Sequence, residues 1–85
     1  MGDGKLFTVE LMVEALDRMH LLRDITATIS DSGVGILSAR VDTIEERTAL
    51  SRFAFRAASA QHVEEIIRKV RAIPDVYDVY RVSRD

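Results

Sequence analysis

From Phe7 to Ala15 every odd position is apolar (Phe7, Val9, Leu11, Val13, Ala15), while Thr8, Glu10 and Glu14 fall between them. A period of two cannot gather its apolar side chains on one side of a helix, so this segment is a strand with one face on a core. That face needs cover, and the chain supplies it with two helical segments. After a turn at Asp17-Arg18, Leu22, Ile25 and Ile29 recur at helical spacing with Leu21 and Thr28 flanking the stripe. Asp31-Ser32-Gly33 ends the run, Gly33 offering the positive φ common just past a helix.

"VGILSARVDTI" and "RTALSRFAFRA" read as the next two strands, joined at Glu45-Glu46-Arg47. Ser59 suits an N-cap, and the helix it opens carries Val63, Ile66, Ile67, Val70 and Ile73 on one face. Pro74 stops that helix and begins the last strand, "DVYDVYRVS". There Val76, Val79 and Val82 recur every third position, which a bulge near Asp78 reconciles with a strand.

The order β-α-β-β-α-β with right-handed crossovers predicts an α+β, ferredoxin-like βαββαβ sandwich. It has a four-stranded antiparallel sheet with two helices on one face, the first and third strands central. Residues 6–83 make the domain, and residues 1–5 read as a flexible lead or the scar of excision from a longer chain. At 85 residues such a domain buries only about 60–65% of its unfolded surface, leaving little room for an enclosed active site.

The absence of cysteine removes disulfides, thiolate nucleophiles and thiolate metal sites, and is compatible with a cytoplasmic setting. Twelve Lys and Arg against fourteen Asp and Glu give a formal charge of −2, unlike a dedicated nucleic-acid binder. No apolar run approaches the ~20 residues that span a bilayer, so no membrane partner is expected. No GxGxxG, Walker loop, nucleophile elbow or HExxH occurs. Glu10 and Glu14, four residues apart on a strand, stand about 13 Å apart, beyond the roughly 5–9.5 Å of glycosidase pairs. His20 and His62 open the two helices without a third ligand at metal spacing. Catalytic residues, a metal and a cofactor are therefore all expected to be absent.

Arg40, Arg52 and Arg56 fall on even positions, on the sheet face away from the helices. They read either as cross-strand partners of Asp42, Glu10 and Glu14 or as a phosphate-contacting, partner-facing set, since an RNA recognition motif uses the same sheet. Phe53 and Phe55 sit at odd positions and point into the core, so that face is expected to lack aromatic platforms for bases. Leu6, Met12, Ile44 and Leu50 make it apolar enough to cover a partner or a second copy.

The stretch "ALDRMHLLRDIT" lies where the first strand enters the first helix, and here the chain resembles an ACT domain. Asp17, Arg18, Leu21 and Leu22 match that family's Asp-Arg-Pro-Gly-Leu-Leu loop, and Asp24-Ile25-Thr26 continue it. "VEALDR", "LLRDIT", "ILSARVDT", "ERTALSRFAF" and "VYDVYRV" together resemble the C-terminal ACT domain of long RelA/SpoT-type (p)ppGpp synthetase/hydrolases, in particular that of actinobacterial Rel proteins. The resemblance implies a regulatory, non-catalytic segment of a GTP pyrophosphokinase acting in the stringent response. It further implies partners among the parent's other domains, the ribosome and tRNA, or a free amino acid held at a homodimer interface. Asp17, Arg18, Met19, His20, Leu21, Leu22, Gly35 and Ile36 are the ligand-binding candidates it indicates. Two departures bear on that site. Met19 and His20 stand where Pro and Gly are common, and Gly35 stands where an Asn amide is usual. Direct amino-acid binding therefore ranks below docking and signalling, with Arg18 and His20 read as surface residues.

Overall fold

The computed structural model describes residues 6–82; the expected lead at residues 1–5 and residue 83 lie outside them. Six elements follow in order: β1 (Phe7–Leu16), α1 (Leu21–Asp31), β2 (Ile36–Glu45), β3 (Thr48–Ala57), α2 (Ala60–Arg71) and β4 (Val76–Arg81). The sheet order is β2-β3-β1-β4 with every neighbour antiparallel, which is the ferredoxin-like βαββαβ topology with β1 and β3 central.

The pleat of β1 sets the core. Val9, Leu11, Val13 and Ala15 are buried, and opposite them β3 buries Ala49, Ser51, Phe53, Phe55 and Ala57. Two helices lie over this face. In α1 the buried stripe is Leu21, Ile25 and Ile29, and Leu22 is exposed, so the stripe starts one residue earlier than the spacing from Leu22 suggests. Both sets fit 3.6 residues per turn, and the seating of the helix on the sheet selects Leu21. In α2, Val63, Ile66 and Val70 are buried, with Ile67 and Ile73 packed at the margin.

Local chemistry fixes the ends. Ser59 Oγ accepts from the His62 amide at 3.1 Å, as an N-cap should. Gly33 ends α1 with φ 88°. The β2–β3 connection tightens to Glu46-Arg47 between the paired Glu45 and Thr48, and Arg47 takes φ 67°. Helix α2 ends at Arg71 with Ala72 as C-cap, and Pro74, two residues further on, bars its continuation from within a turn that ends at Asp75, φ 72°. Likewise β2 begins at Ile36, two residues after Val34, because Val34 and Gly35 complete the descent from α1.

In β4 the irregularity is Tyr77, next to the expected Asp78. Val76 pairs with Ala15 and Asp78 with Glu14, leaving Tyr77 as the extra residue. The bulge keeps Val76 and Val79 on the inner face, and it also puts Tyr80 beside Met12 on the open face, 41% exposed. The expectation of an open face without aromatics is thereby corrected. The three-residue valine spacing hides which face each tyrosine takes.

Ser51 is the buried polar residue of the core, and its Oγ has no hydrogen-bond partner. An unmade hydrogen bond of this kind costs on the order of 1–3 kcal/mol. Ser51→Ala is expected to raise the unfolding free energy by about 1 kcal/mol, read as a higher midpoint in urea at unchanged slope; a lower midpoint would show that the hydroxyl finds a partner.

Candidate functional site

The β1–α1 loop is held from three sides, and Arg18 does most of the holding. Its Nη2 donates to Asp24 Oδ2 at 3.0 Å in the first turn of α1 and to the Pro74 carbonyl at 3.2 Å. Nη1 donates to the Met19 carbonyl at 3.0 Å. Nε lies 3.1 Å from Asp75 Oδ2, an ion-pair distance at an angle that makes no hydrogen bond. Arg18 is thus a half-buried clasp between loop, helix and the α2–β4 turn, a role that its reading as a surface residue does not include. Its acceptors are hidden in sequence because Pro74 and Asp75 come close only in the fold.

Backbone bonds complete the joint. The Asp17 amide donates to the Arg47 carbonyl at 2.8 Å, and the Leu16 amide to the Asp75 carbonyl at 2.9 Å. The Thr43 hydroxyl donates to Asp17 Oδ2 at 3.4 Å, tying the loop to the end of β2. His20 is the N-cap of α1 at φ 68° and gives no side-chain cap. The position where Gly is common in the family loop is indeed left-handed here. Met19, 78% exposed, and His20 stand at the surface, Leu21 is buried, and Leu22 is exposed.

Asp24 carries the electrostatic signature of the joint. The hydrogen bond from Arg18 is the main cause that lowers its pKa from the ordinary 3.8, against a smaller opposing effect of burial. The acid also suits the positive start of a helix.

The remaining ligand candidates are elsewhere. Leu16 is level with Thr48 and Ile36 with Phe55, so seven residues of β3 separate the two ends. At ~3.3 Å per residue that is about 23 Å. Gly35 and Ile36 line a hollow of about 340 Å³ with Leu37, Arg56 and His62 at the far pole from the loop. A Cβ added to Gly35 meets no atom within 4 Å. His62 is no merely local group: its Nε2 lies 2.8 Å from the Ser32 carbonyl, joining the start of α2 to the end of α1. That carbonyl accepts, so the ring nitrogen facing it carries the proton. The two histidines lie at opposite poles, and among the described residues no group of His, Cys, Asp or Glu is placed to hold a metal.

On the open face the structure brings Arg40 and Arg52 together as directly opposed residues of β2 and β3. Arg56 lies four residues further along β3, about 13 Å away. Arg52 reaches Glu10 at a loose 3.7 Å. A depression of about 250 Å³ lies between Met12, Arg40, Asp42, Leu50 and Arg52.

Comparison with known proteins adds the family context. The family model described as "ACT domain" matches residues 3–81. The chain is 47% identical over 80 residues to a GTP pyrophosphokinase of Streptomyces coelicolor, covering 94% of this chain and 9% of that protein. It is 46% identical over 80 residues to the bifunctional (p)ppGpp synthase/hydrolase RelA of Mycobacterium tuberculosis, covering 94% and 11%. The chain therefore spans about a tenth of the length of these relatives. It shares its fold with the crystal structure of the ACT domain from GTP pyrophosphokinase of Chlorobium tepidum, at TM-score 0.80 and 15% identity, over 92% of this chain and 100% of that one.

Two outcomes follow from the loop. His20→Gly is expected to stabilise the domain by about 1 kcal/mol, because a left-handed non-glycine residue costs roughly 1–2 kcal/mol and the freer unfolded glycine offsets only part; a urea titration in which the variant is weaker would refute the strain. Because Asp24 has a lowered folded pKa, its contribution is complete above the unfolded value near 3.8 and is lost as pH falls through the folded value. Asp24→Asn is therefore expected to make stability less steep in pH below about 4, measured by thermal melts from pH 2 to 5.

Proposed function

The chain belongs to the ACT domain family, and from that membership we propose that it is the non-catalytic regulatory domain of a RelA/SpoT-type GTP pyrophosphokinase/(p)ppGpp hydrolase. Its role is docking and signalling in the cytoplasm. Among the described residues no helix is long and apolar enough to cross a membrane.

The observation that carries this reading is the employment of Arg18. Its guanidinium is committed to Asp24, Pro74 and Asp75 of the same chain, so the family's ligand loop is filled by an internal joint. A surface that differs in contact between two states of the parent then does the regulating. Ribosomal RNA, tRNA or another domain of the parent are the contacts in view, with Arg40, Arg52 and Arg56 facing them. A difference of ~1–3 kcal/mol between the two states suffices for a clear effect on activity.

A second reading, an amino-acid sensor, is favoured by the way the ligand candidates divide. The free edge of β2 is ten residues long, and antiparallel pairing of that edge with a second copy about a two-fold at Arg40 brings its Ile36 end level with the Ile44 end of the second copy's strand. The hollow at Gly35 would then approach the second copy's Asp17, which Thr43 holds beside β2. Two half-sites separated in one chain would meet across two.

Amide NMR spectra recorded during titration with valine, leucine and isoleucine separate the readings. Docking predicts no saturable shifts at millimolar ligand. Saturable shifts at residues 17–22 and 34–37 together would transfer the function to the sensor.

A further inference from the structure

The docking reading takes Arg40, Arg52 and Arg56 of the open face one by one, and leaves aside the order that the face has across its strands. Register places Arg40, Arg52, Met12 and Tyr80 in one transverse row, each directly opposite the next across β2, β3, β1 and β4. The adjoining row, two residues along each strand, is Asp42, Leu50, Glu14 and Asp78. One row is a line of cations and a phenol with no carboxylate; its neighbour is a line of carboxylates with no cation. Met12 and Leu50 put an apolar side chain in the middle of each.

We propose that this face binds a second copy of the same chain, sheet against sheet, about a two-fold axis that runs between the two rows and parallel to them. That axis lays each row on the other row of the second copy. Arg40 faces the second copy's Asp42, and Tyr80 faces its Asp78. Arg52 falls over Leu50, between the second copy's Asp42 and Glu14. Each pairing occurs twice, as an isologous contact requires. A two-fold parallel to the strands would instead set Asp42 over Asp78 and is rejected by charge.

The chemistry within one chain fits this occupant. Arg40 and Arg52 stand opposed as like charges, an unfavourable cross-strand pair, and Glu10 lies 3.7 Å from Arg52. Asp78 is partly engaged already by Arg71 at 3.6 Å and by the Val79 amide, so the Arg40–Asp42 contact carries more of the specificity. The depression between Met12, Arg40, Asp42, Leu50 and Arg52 straddles both rows and takes a side chain of the facing sheet. Four strands about 4.8 Å apart offer roughly 500 Å² per copy, at the small end for a specific interface. The pair is therefore weak, and forms at tens to hundreds of micromolar chain rather than nanomolar.

Sedimentation equilibrium of the chain up to about 0.5 mM, at low and high salt, tests it. The expected result is a salt-sensitive dimer that Arg40→Glu or Asp42→Arg each weakens about tenfold or more. The double variant Arg40→Glu/Asp42→Arg regains the wild-type affinity, because the exchanged charges meet across the axis. Leu50→Lys, on the inner strand β3, abolishes the dimer while its amide spectrum stays dispersed. A monomer throughout the range overturns the proposal, as does a double variant no better than the single ones. A dimer indifferent to Leu50→Lys, with dilution shifts confined to residues 36–45, assigns self-association to the β2 edge and overturns it too. A monomer that binds ribosomal RNA through Arg40 and Arg52 gives the face to nucleic acid and likewise overturns the pairing of copies.

Discussion

Strand β1 pairs with β3 on one side and with β4 on the other, so its pleat dictates which face every neighbour turns to the helices. Leu11 and Val13 are fully buried beneath that cover, and a slip of one residue in either pairing would send them to water and bring Glu10 and Glu14 into the core. Such an exchange is far costlier than any surface contact here, so register is set before the polar features are decided. The bulge at Tyr77 serves the same constraint. It lets β4 keep Val76 and Val79 inside although they stand three positions apart.

The loop pole shows what a firmly registered sheet can tolerate at its ends. His20, Arg47 and Asp75 are the non-glycine residues with positive φ among those described, and all three lie where β1 ends, β2 turns into β3, and α2 hands over to β4. Each conformation is unfavourable for an L-residue. The carbonyls of Arg47 and Asp75 accept from Asp17 and Leu16, and His20 O accepts from the Asp24 amide at 2.9 Å. The strained residues are the ones whose carbonyls the loop needs.

Much of this is legible in the sequence because it rests on periodicity. The alternation in β1, the stripe in α2, the cap at Ser59 and the positive φ of Gly33 are local facts with one physical solution. The buried register of α1 slips by a residue because both Leu21 and Leu22 are apolar, and only the angle of the helix on the sheet chooses between them. The clasp made by Arg18 is hidden for a different reason: its partners on Pro74 and Asp75 are more than fifty residues away along the chain. Tyr80 escapes a sequence reading because one inserted residue reverses parity, and nothing in "DVYDVYRVS" marks where the insertion falls. The pairing of Arg40 with Arg52 depends on a further register shift in β2 between Ile36 and Ser38, which counting from the strand start does not reveal.

Because one guanidinium fastens the first turn of α1 and the α2–β4 turn to the same loop, these segments share a fate. Amide exchange with solvent should release them together: opening Arg18 frees Asp24, Pro74 and Asp75 at once, while the inner strands stay protected. A contact with any of the three segments is felt by the other two.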